Sequence, residues 1–222
     1  MDKNGILELI SRMNKPWSEE KFENSTQTTS GKAYREADAL CDKSLYPLLK
    51  EIIEEREGKD GIVYRRCACY VYGKLMENVF DYDDCDWFIS RMEKETNPDV
   101  LLTMLNCFAD FSKSVKVPVP NGIDITPILT LAKAKRSYVR RAAILVLGAC
   151  PREESREVLK YYLTQENEKA FKEEICNANI ALQSIGQPED VPHLERFIKS
   201  RIPNVKHTAK RAVQLIKERN NL

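Results

Sequence analysis

Apolar residues recur along most of this chain at helical spacing, and they do so in paired segments. Residues 139–147, Val-Arg-Arg-Ala-Ala-Ile-Leu-Val-Leu, run into Gly148 and Pro151, and a second apolar stripe follows over 158–163. Ala181, Leu182 and Ile185 lead in the same way through Gly186 and Pro188 to Val191, Leu194, Phe197 and Ile198. Upstream, Gly73 follows Tyr64 at the spacing by which Gly148 follows Val139, so Arg65-Arg66 aligns with Arg140-Arg141. Segments 100–109, 171–185 and 203–217 share this register, so an inner helix recurs every ~30 to 40 residues, the period of helical-pair repeats. Partner helices are expected between them, over 45–53, 87–92, 128–132, 158–163 and 191–198. The pattern predicts an all-α fold: a curved α-solenoid of about five helical pairs, each burying its apolar face against the next.

Local signals agree with the period. Asn97-Pro98-Asp99 suits a helix start, Ser44 or Thr126-Pro127 can cap or open one, and Glu189-Asp190 puts acids at the positive end of a helix dipole. In the last segment Val205, Ala209, Ala212, Val213 and Ile216 alternate with Lys206, Lys210, Arg211, Gln214 and Lys217, leaving a polar face suited to a closing cap. Residues 1–43 lack the repeated phrase. They read as an N-terminal helical cap, with a short amphipathic helix over 6–13 and a mobile polar loop at Ser-Thr-Gln-Thr-Thr-Ser-Gly (25–31). Trp17 and Phe22 would pin this cap or form a partner-contacting arm. The array itself spans 44–222 as a single continuous domain, interrupted by an extended connector over 116–122.

Composition narrows the class. With 42% hydrophobic and 31% charged residues the 222-residue chain is too apolar to stay disordered. Its formal net charge of +1 gives no global pull toward nucleic acid or membrane, so any such attraction must be local. The first residues contain no apolar run fit for a signal peptide, and no stretch approaches the ~18 residues of a membrane span. Seven scattered cysteines, mostly within apolar phrases, suit free thiols in a reducing compartment, and a cytoplasmic location is expected.

The phrases at 139–148 and 185–194 resemble HEAT repeats, and in particular the HEAT-like type found in phycobilisome-lyase-related proteins. The resemblance is good over 138–217, fair over 62–113 and absent from 1–43. It implies an armadillo-type two-layer helical array of the kind that mostly binds proteins, and it points to no substrate, because the shared pattern encodes packing. Small HEAT-like proteins also serve as bacterial toxin-neutralising immunity proteins or as assembly scaffolds.

The candidate site is a basic row: Arg65 and Arg66, Arg140 and Arg141, then Lys206, His207, Lys210 and Arg211. Each group opens an inner helix, so stacking would align them along the concave surface facing an acidic protein patch. The alternative is packing, with each arginine bound to an acid or carbonyl of the adjacent repeat. Leu101-Leu102 occupies the second rung, which weakens a continuous nucleic-acid track. Residues 141–145 resemble a helix of the HEAT-like DNA alkylation-repair glycosylases, whose cleft tryptophans and Asp have no counterpart cluster here; nucleic-acid binding is the second reading. The run Asp81-Tyr82-Asp83-Asp84-Cys85-Asp86 lacks the Gly and distant Glu of a calcium loop and reads as helix-opening acids. Cys67 and Cys69 have no second pair at zinc-ligand spacing. No cofactor, metal, membrane or catalytic constellation is expected.

Overall fold

The computed structural model describes residues 1–16, 18, 24–56, 58–59, 61–79, 82, 84–115 and 118–221. Trp17 and Phe22, the weaker candidate site, lie outside these. Among the described residues there are twelve α-helices and no strand, which is the expected all-α, solenoid-type arrangement. The chain divides into two compact units: Met1–Phe88 with Glu95–Val115, and Ile89–Lys94 with Lys116–Leu222.

In the first unit α1 (Lys3–Met13), α2 (Thr29–Asp38) and α3 (Tyr46–Glu55) pack around α4 (Ile62–Val79), and α4 lies along α6 (Pro98–Val115). Helix α5 (Cys85–Lys94) precedes α6. The amphipathic stripe of α1 buries Ile6, Leu9, Ile10 and Met13, and the Asp2 side chain caps it by accepting the Gly5 N–H at 2.8 Å. Tyr46, Tyr72 and Phe88 form a ring cluster, with Tyr72 and Phe88 stacked at 5.0 Å between centroids.

The mobile loop expected at 25–31 is instead ordered. Ser25–Gln27 form a 3-10 turn whose start is capped by Asn24, and α2 begins at Thr29. Thr28 makes the difference: its hydroxyl accepts the Gly31 N–H at 2.9 Å and donates to the Ser25 carbonyl at 2.7 Å. A run of Ser and Thr reads as loop because these side chains compete for backbone groups, and that same chemistry makes them helix caps. Helix α2 escapes the apolar pattern because its buried residues are only Ala33 and Ala37. At the next start Asp42, and not Ser44, supplies the cap, accepting the Ser44 N–H.

Among its described residues the second unit contains three helical pairs: α7 (Thr126–Leu131) with α8 (Ser137–Val146), α9 (Glu153–Leu163) with α10 (Lys172–Ile185), and α11 (Val191–Glu195) with α12 (Pro203–Asn220). Helices α8, α10 and α12 pack side by side in that order. The two aligned glycines mark close approaches between inner helices. A Cβ on Gly148 would sit 2.9 Å from the Ala181 Cα, and one on Gly73 would sit 2.8 Å from the Cys107 Sγ.

Six cysteines are buried and Cys41 is exposed, all as free thiols. Burial pushes the Cys107 and Cys150 thiols up to about 12, so they behave as core residues.

Candidate functional site

The basic row resolves into two populations. Arg65 is almost fully buried, and its guanidinium forks onto Glu95 with Nε to Oε2 at 2.7 Å and Nη2 to Oε1 at 3.1 Å. Its Nη1 donates to the carbonyls of Arg56 and Gly58, at 2.5 and 2.9 Å, in the turn between α3 and α4. Arg140 holds the corresponding place in the second unit, with both nitrogens on one carboxylate oxygen. Its Nε and Nη2 reach Glu174 Oε1 at 3.1 and 2.5 Å, and its Nη1 donates to Ala134 and Lys135 in the α7–α8 turn. The first arginine of each pair therefore ties its own helical turn to a glutamate at or just before the start of the next inner helix. Planar guanidinium suits the task because its rigid fork can satisfy a carboxylate and two carbonyls together.

The second members differ. Arg141 keeps 38% side-chain exposure although its Nε approaches the buried Glu174 Oε1 at 3.3 Å. Arg66 is partly exposed beside Cys67, which its charge influences. Lys206, His207, Lys210 and Arg211 are all exposed on α12, and none of them has an ion-pair partner among the described residues. Helix α12 stands on α10, so these cations and Arg141 belong to one unit, whereas Arg65 and Arg66 belong to the other.

Further cations escaped the repeat-by-repeat comparison because they sit in turns. Lys133, Lys135 and Arg136 between α7 and α8, Lys169 before α10, and Lys199 and Arg201 between α11 and α12 are exposed without ion-pair partners among the described residues. Hydrogen bonds link the later turns: Arg196 Nη2 donates to the Gln165 carbonyl at 2.9 Å, and Ser200 Oγ donates to Glu168. A sequence signal for them exists. Residues 1–115 carry 16 Lys and Arg against 22 Asp and Glu, net −6, whereas residues 116–222 carry 19 against 12, net +7. No acid interrupts 125–152 or 196–217, and the whole-chain value of +1 conceals the split.

The remaining candidates have structural uses. Asp84 accepts from Lys50 Nζ at 2.6 Å and Asp86 lies in the first turn of α5, while Asp81 and Asp83 lie outside the described residues. Cys67 and Cys69 are both buried in α4. His193 and His207 have no hydrogen-bonded carboxylate or hydroxyl among the described residues.

Residues 125–214 match the family model for HEAT repeats. That stretch covers α7 to most of α12, the same segment in which the repeated phrase is clearest. The match supports HEAT-like repeats in general and does not distinguish the phycobilisome-lyase-related type among them. No curated protein matches the chain. HEAT repeats commonly act as protein-interaction scaffolds, and they are typically non-enzymatic. Among the described residues no helix is long and apolar enough to cross a membrane.

Proposed function

We propose that this protein is a non-enzymatic, HEAT-like binder of another protein, and that it engages an acidic patch with those exposed cations of residues 118–221 that have no ion-pair partner among the described residues. The observation that carries the reading is the exposed first half of α12, where Lys206, Lys210 and Arg211 stand without anionic partners among the described residues and no acid lies between 203 and 217. Unpaired cations at a surface raise the encounter rate with an acidic partner and favour it over basic competitors. Arg141 on α8 keeps 38% side-chain exposure despite its pairing with Glu174 and is the secondary candidate. Arg65 and Arg140 drop out of the contact set under this reading, because Glu95 and Glu174 already hold them. A role as an immunity or assembly protein is the specific form that this binding would take.

The test compares a fluorescent glutamate-rich polypeptide with DNA and RNA oligonucleotides, at about 50 and about 200 mM salt, by anisotropy. The polypeptide should bind more tightly than either nucleic acid. Combined Lys206→Glu, Lys210→Glu and Arg211→Glu substitutions should weaken it by about tenfold, in line with the loss of several charge pairs. Tighter oligonucleotide binding with a steep salt slope would replace this reading with a nucleic-acid one. Unchanged polypeptide affinity in the triple variant would end it.

A further inference from the structure

The second unit contains a cleft of about 690 Å³ beside the α7–α8 turn, walled by Tyr161, Tyr162, Phe171 and Val158. Its size and mostly apolar surface, to which three aromatic rings contribute, fall within the range of ligand-binding pockets. The wall is half fixed and half open. Tyr162 is buried and its hydroxyl donates to the Ala132 carbonyl at 2.5 Å, whereas Tyr161, set edge-on to it at 5.1 Å, is 53% exposed. A large aromatic left exposed against a rigid aromatic floor is the kind of residue that dominates protein interfaces.

Charges at the rim decide what would enter. Arg140 is neutralised by Glu174, and Glu157 is held by Lys160. Lys133 is exposed and has no ion-pair partner among the described residues, so the rim carries an uncompensated positive charge. Lys135 and Arg136 continue that charge along the same turn. From this complementarity we infer that the cleft seats an aromatic side chain of an acidic segment in the protein partner, with a neighbouring carboxylate on Lys133. The inference rests on the acidic-partner reading above. It adds the element that gives specificity, since an edge-to-face ring contact is directional and surface charge alone is not. A chain segment fits better than a compact acid, because only a segment also reaches Lys135 and Arg136.

A random peptide-display library selected on the full-length protein tests this directly. Enriched peptides should pair Phe, Tyr or Trp with an adjacent Asp or Glu. Their affinity should fall at least tenfold in Tyr161→Ala and persist in Tyr161→Phe, and the exposure of Tyr161 keeps the core out of the experiment. Four results overturn it: no enrichment, enriched peptides without an aromatic residue, affinities within twofold between the wild type and Tyr161→Ala, or equal competition by phenylacetate, which would assign the cleft to small carboxylic acids. Acidic peptides that lack the aromatic but still respond to charge reversal on α12 would remove the cleft and leave the basic face standing.

Discussion

Replacing Arg65 with methionine separates packing from binding more sharply than any other single change. Methionine retains much of the buried stem and removes the guanidinium, so Glu95, whose side chain is 2% exposed beside Arg65, loses both halves of its fork. Breaking a buried pair on one side costs about 3–5 kcal/mol, because a desolvated charge is left behind. Two features place the expected loss near the lower end. Glu95 Oε1 still accepts the backbone N–H groups of Thr96 and Asn97, at 3.0 and 2.8 Å, and the carbonyls freed at Arg56 and Gly58 belong to exposed residues that water can reach. We therefore expect a loss of about 3 kcal/mol. Urea unfolding measures it globally. Because helical arrays can open locally, hydrogen exchange in α4 and α6 should also accelerate by about two orders of magnitude, at 1.36 kcal/mol per factor of ten. Replacing both Arg65 and Glu95 with apolar residues should recover part of the loss. Affinity for the acidic polypeptide should stay unchanged in Arg65→Met. A loss below about 1 kcal/mol, or a drop in polypeptide affinity without loss of stability, would refute the assignment of Arg65 to packing.

Two further outcomes follow from burial. Gly73→Ala should destabilise by about 1–3 kcal/mol in urea unfolding, since the new methyl meets Cys107 across the α4–α6 contact; wild-type stability would show that the two helices separate easily. At alkaline pH, burial holds the Tyr162 phenol up to about 12 against an ordinary 10.0, and it raises Tyr72 as well. Between those values the unfolded chain has lost the phenolic proton and the folded chain keeps it, so stability should fall as pH rises above about 10. A urea midpoint that stays flat through this window would show that these phenols ionise as freely in the fold as outside it.

The helical segments of the array were legible because each inner helix needs an apolar face of fixed period, and that need is written residue by residue in phrases such as 139–147. The glycine at the end of the phrase was legible for a related reason: two helices approach there too closely for a Cβ. Helix α2 was not legible, because alanines pack it and a threonine hydroxyl starts it, leaving no apolar stripe to detect. The basic row was legible only as residue types. Arg65 and Arg141 look alike in sequence, yet one is enclosed by a glutamate 30 residues away and the other stays partly open.

Sequence periodicity by itself determined the all-α class, the helical segments of the array and the polar face of the closing helix, since all three depend on contacts repeated locally along the chain. Only the tertiary structure decided which cations are already neutralised and where Tyr161, Tyr162 and Phe171 meet. Those outcomes depend on glutamates and turns brought together from distant positions, and solvation of a charge is set by its surroundings in space.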